Sequence, residues 1–109
     1  CLLVAHWAKR SSLPVRAAFL VAVPDPAGPM FPPAAQGFQP VPSEKLRFPS
    51  LVVTSSNDPF GSVAYARGCA ADWGSDFVEV GAVGHINADS GLGDWPAGLA
   101  LFDGFLKSL

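Results

Sequence analysis

Acid–base chemistry near neutral pH needs a group that can gain and lose a proton there, and a partner that fixes its tautomer. The 109-residue chain holds two histidines. His85 lies in Gly81-Ala82-Val83-Gly84-His85-Ile86-Asn87, directly after a predicted strand. Glycines there let the backbone turn sharply and aim the imidazole out from a sheet edge. Asp58 lies in Ser55-Ser56-Asn57-Asp58-Pro59-Phe60, after the preceding predicted strand. In a parallel sheet both loops leave the carboxyl ends of strands, on one rim. Adjacent strands lie about 5 Å apart, close enough for the Asp58 carboxylate to reach the His85 imidazole. The carboxylate would accept the imidazole N–H and stabilise the imidazolium. Asp before Pro also closes turns and caps helices, a purely local reading of Asp58. The presence of His85 favours the chemical one.

Other candidates carry less. His6, beside Trp7 on a predicted helix, reads as a packing or solvent-facing histidine. Asp25, between two prolines, reads as a turn, and Asp94 as a helix cap. Asp89 could replace Asp58 only if its loop folded back. The nucleophile candidates are Ser55, Ser56, Ser90, Cys1 and Cys69, and none sits in a Gly-x-Ser-x-Gly elbow. Ser55 and Ser56 are too near Asp58 in sequence to face it across His85. Cys69 falls within a predicted helix as core, and nothing local activates Cys1. Metal-ligand spacing and phosphate-binding glycine patterns are absent.

Three strands and three helices must position these residues. Continuous apolar runs at 17–23, 50–55 and 76–80 predict parallel strands covered on both faces. A helix is predicted over 1–10, with Leu3 and Trp7 on one face and Lys9 and Arg10 at its cationic end. A second, over 61–73, aligns Val63, Ala66, Ala70 and Trp73. A third, over 95–108, aligns Leu99, Phe102, Leu106 and Leu109, with Asp94 as N-cap and Pro96 in the first turn. The alternation predicts an α/β fold. Between the first two strands, residues 24–49 contain eight prolines and no periodicity. They predict a long ordered loop with a short helical turn near 43–46. It is either a functional, lid-like segment or a passive crossover.

Composition bounds the class. Half of the residues are hydrophobic, 15% are charged and the formal charge is −2. This suits a globular domain rather than a disordered one and argues against a nucleic-acid surface. The longest apolar run, 17–23, is far below the ~20 residues of a membrane helix. With no secretory leader pattern and two cysteines expected as reduced thiols, the expected location is cytoplasmic.

The sequence opens inside an element, with no capping residue before Cys1. The first strand has no polar alternation, so a bare edge there would invite aggregation. Residues 1–109 are therefore expected to be the C-terminal portion of a single domain. A missing N-terminal segment, or another chain, is expected to cover that edge.

A family resemblance fits this pattern. In α/β-hydrolases the triad order is Ser, then Asp or Glu, then His. The segment from Gly84-His85-Ile86-Asn87 through Gly93-Asp94-Trp95-Pro96 resembles the histidine loop of the small serine hydrolases related to YdeN and retinoblastoma-binding protein. Ser-Ser-Asn-Asp-Pro-Phe resembles their acid loop, and the strand and exit over 17–26 also fit. The resemblance implies the C-terminal part of an α/β-hydrolase fold, with three parallel strands and flanking helices. It implies Asp58 and His85 as triad acid and base. It places the nucleophilic serine about three residues before Cys1, in an elbow running into the first helix. The implied substrate is a small-molecule ester or amide, hydrolysed without a cofactor. These residues alone are expected to be inactive. Phe31, Phe38, Phe60 and Trp95 either line the acyl pocket or simply pack. A non-catalytic interaction module or an inactive remnant is the alternative.

Overall fold

A computed structural model describes residues 1–109. The chain runs α1 (Leu2–Arg10), β1 (Ala18–Val21), β2 (Ser50–Thr54), α2 (Val63–Trp73), β3 (Asp76–Glu79), a 3-10 turn (Ala88–Ser90) and α3 (Pro96–Lys107). The strands form one parallel sheet in the order β1-β2-β3. The architecture is the expected α/β one.

All five residues of β2 are buried, as befits the central strand of a sheet covered on both faces. Its side chains alternate between two cores. Val52 joins Leu2, Ala5 and Ala8 of α1 and Ala66, Ala70 and Trp73 of α2 on one face. Leu51 and Val53 join Phe105 of α3 on the other.

Each strand is shorter than its apolar run. The first strand ends at Val21 because Ala22 turns into the left-handed region at φ 58°. Ala22 and Val23 stay buried beyond it. Apolarity marks burial, whereas the ladder ends where the backbone leaves the extended region.

The helix faces correct the predicted ones in two of three cases. In α1 the buried residues are Leu2, Ala5 and Ala8, and Leu3 is 70% exposed. Two apolar residues four apart do not select a face when small alanines allow closer approach on another. In α2 the predicted face is right: Ala66, Ala70 and Trp73 are buried, with Cys69 beside them. Ser62 Oγ caps α2 by accepting from Tyr65 N–H at 3.1 Å, and left-handed Gly74 ends it. In α3 the predicted Leu99, Phe102, Leu106 and Leu109 are all exposed, and Gly98 and Phe105 are buried. Asp94 is not the cap either; Trp95 holds that position, with left-handed backbone at φ 46°. A Cβ on Gly98 would lie 2.0 Å from the Trp95 ring. The indole thus occupies the space above Gly98 and sets the rotation of α3, turning Phe105 inward.

The Pro-rich segment 24–49 is an ordered connection with no helical turn at 43–46. Instead it is tied to both helices of the first core. Trp73 Nε1 donates to the Pro42 carbonyl at 2.8 Å, and Leu46 N–H donates to the Trp73 carbonyl at 2.9 Å. Arg47 donates to the carbonyls of Ala8 and Ser11, satisfying acceptors at the end of α1. His6 Nε2 meets the Phe38 carbonyl at 2.9 Å. Both cysteines are free thiols, Cys69 buried and Cys1 half-buried. No helix is long and apolar enough to cross a membrane.

Candidate active site

Pairing of β2 with β3 puts the loops that follow them side by side. His85 Nδ1 lies 3.0 and 2.9 Å from the two carboxylate oxygens of Asp58. The Asp58 side chain is 1% exposed and that of His85 25%. Asp58 also accepts the Phe60 N–H at 2.8 Å, so it closes its own turn while meeting the imidazole. One carboxylate thus makes both the turn contact and the imidazole contact. An ionised carboxylate can only accept, so Nδ1 carries the proton and Nε2 of the neutral ring is the basic nitrogen. The Phe60 ring lies 4.4 Å from the imidazole, tilted by 39°.

The histidine loop is held by the acid loop. Ser55 Oγ donates to Asn57 Oδ1 at 2.9 Å and accepts from Val83 N–H at 3.0 Å. Asn57 Oδ1 also accepts from Gly84 N–H at 2.8 Å. Ser56 N–H adds a bond to the Gly81 carbonyl at 2.8 Å. The residues flanking His85 both have left-handed backbone: Gly84 at φ 66° and Ile86 at φ 52°. For a β-branched isoleucine that conformation is strained and persists only where surrounding contacts impose it.

These bonds decide among the other candidates. Ser55 is fully buried and committed to Asn57 and Val83, which removes it as a nucleophile. Ser90 Oγ accepts from Asn87 N–H and closes the loop beyond the histidine. Asp25 accepts from Ala27 N–H at 2.9 Å, the expected turn. Asp89 and Asp94 are exposed. Burial pushes the Cys69 thiol up, which disfavours its thiolate. Cys1 Sγ donates to the Val21 carbonyl. No group of three His, Cys, Asp or Glu side chains is arranged to hold a metal ion.

A cavity of about 380 Å³ opens beside His85. Phe31, Phe38 and Phe60 line it, together with the first turn of α1. Trp95 does not; it borders a separate cleft with Ile86 and Leu92. The positioning roles of Ser55 and Asn57, and the bond from His6 to Phe38, are not evident in the sequence. The only signal was a Ser and an Asn within three residues of the acid.

Residues 1–104 match the family described as Serine hydrolase. The chain belongs to that family. Its fold also matches a YdeN-like hydrolase from Pectobacterium atrosepticum, with a TM-score of 0.80 and 30% sequence identity. The superposition covers 95% of this chain and 53% of the other, so this serine hydrolase family member spans about half the length of that protein. No curated protein matches the sequence.

Proposed function

We propose that Asp58 and His85 are the acid and base of a Ser-Asp-His triad hydrolysing an ester or amide. In this reading the nucleophilic serine lies just upstream of Cys1 in a longer chain, and residues 1–109 alone are inactive. The observation that carries the reading is the contact of His85 Nδ1 with both oxygens of a buried Asp58. A carboxylate on Nδ1 leaves Nε2 basic and stabilises the imidazolium that forms. The strained Ile86 backbone beside His85 agrees with a residue held for chemistry.

The serine attacks the carbonyl carbon while His85 Nε2 takes its proton. Asp58 stays ionised. His85 then gives that proton to the leaving group, and water, activated by the same nitrogen, releases the acyl group. Backbone N–H groups hold the oxyanion, at least one of them beside the upstream serine. The first turn of α1 shares the cavity wall with His85, where an elbow running into α1 would deliver its serine. The unpaired edge of β1 and the exposed apolar side of α3 are surfaces that the rest of such a domain would cover.

The test is fluorophosphonate labelling of the protein from its native source, followed by peptide mapping. Label on a serine just upstream of Cys1, lost in His85→Ala, is the expected result. Label on Ser56 or Ser90 would overturn the assignment.

A further inference from the structure

The walls of the cavity beside His85 indicate a substrate class. His85 forms one side, and Leu3, Pro24, Phe31, Phe38 and Phe60 supply apolar surface around it. No Asp, Glu, Lys or Arg lines it. Its volume of about 380 Å³ falls within the range of small-molecule sites, about 300–1,000 Å³. Apart from His85, its lining side chains offer a charged group no ionic partner. An apolar chain would instead gain about three- to fourfold in binding for each methylene buried.

The selecting wall has an anchor. Phe38 belongs to the long Pro-rich connection, where no ladder or helix holds the backbone. His6 Nε2, on the rigid α1, meets the Phe38 carbonyl at 2.9 Å and packs edge-on to the Phe38 ring. Phe31 in turn packs edge-on to Phe38, with ring centres 6.0 Å apart. The bond from His6 thus holds the Phe38 end of an aromatic pair at the cavity, while Phe31 N–H donates to the Gly28 carbonyl at 3.3 Å. We infer that this cavity takes the uncharged apolar acyl group of the substrate, and that His6 is a positioning residue that holds Phe38 as its length-selecting wall. This rests on the hydrolase reading above.

The experiment uses the protein from its native source and p-nitrophenyl acetate, butyrate and hexanoate, with the adipate half-ester as a charged analogue of hexanoate length. The expected kcat/KM for hexanoate exceeds that for acetate by about 100-fold. The charged half-ester should fall to the acetate level or below. Phe38→Ala and His6→Ala should each cut the hexanoate-to-acetate ratio about tenfold. His6→Gln, whose amide still donates, should preserve it. A flat or inverted chain-length series, or preference for the charged ester, overturns the pocket assignment while the hydrolase reading stands. An unchanged ratio in His6→Ala overturns the tether. If no ester is turned over, hexanamide titration followed by the phenylalanine ring NMR resonances separates the two readings. Shifts that weaken in Phe38→Ala support the pocket and sink the hydrolase reading, and no shifts overturn both.

Discussion

At the residue scale, Asp58 meets both the His85 imidazole and the Phe60 N–H, and its charge matters only to the proposed chemistry at the first. Asp58→Asn keeps the volume and an oxygen for Phe60 N–H, but it presents a neutral group to Nδ1. The favoured tautomer and the imidazolium both lose support. Turnover by the native protein should fall about 10⁴-fold with little change in melting temperature, measured by ester hydrolysis and calorimetry on the same sample. Asn57→Ala acts differently. Its Oδ1 accepts from Ser55 Oγ and Gly84 N–H, so truncation leaves two donors unpaired. Denaturant titration should show a loss of about 1–3 kcal/mol. The labelling rate at the serine should fall as well, because the backbone beside His85 is no longer pinned. An unchanged rate would show that the bond to Gly84 does not position the imidazole.

At the element scale, the rotation of α3 depends on one contact that no periodicity encodes. Gly98→Ala would normally stabilise a helix by up to about 1 kcal/mol. Here the new methyl meets the Trp95 ring at 2.0 Å. Net destabilisation of about 1–3 kcal/mol is expected in urea, the range for overpacking. A stabilised variant would mean that Trp95 moves freely and does not set the rotation. In α1 the sequence signal was two large residues, and the buried side is Leu2 with two alanines. Leu3→Gln should change stability by less than about 0.5 kcal/mol. Leu2→Ala should cost about 2–5 kcal/mol. Large side chains advertise a face in sequence, yet a helix lying close to a sheet buries its small ones.

At the scale of the whole molecule, stability should depend on pH above neutrality. Burial raises both Cys69 and Tyr65 above their ordinary values of 9.0 and 10.0. In the unfolded chain these groups ionise at the ordinary values, so the unfolded state binds fewer protons there than the folded state. Stability is therefore fully present below about pH 8 and falls as pH rises through 9 and 10. Urea midpoints taken from pH 7 to 10.5 should show this decline, and Cys69→Ala should flatten its first part. A flat profile in the native protein would mean that both groups are reached by solvent.

The sequence by itself determined the alternating α/β pattern and the parallel strands, and it singled out Asp58 and His85 as the proposed acid and base. Each of these is local. Apolar runs specify what is buried on both faces, and Asp58 and His85 each follow such a run directly. Glycines beside His85 and the Asp-Pro step after Asn57 announce turns, so both residues were legible as loop residues at strand ends. Tertiary structure decided that β2 and β3 are neighbours, and only that turns two loop residues 27 positions apart into a hydrogen-bonded pair. It also decided which side of α1 and α3 faces the sheet, because rotation follows from the packing of Ala5, Ala8 and Phe105 against residues distant in sequence. The hold of Ser55 and Asn57 on the histidine loop, and of His6 on Phe38, has the same origin. A polar side chain's partner is set by which backbone the fold brings within 3 Å, and sequence spacing carries no record of that distance.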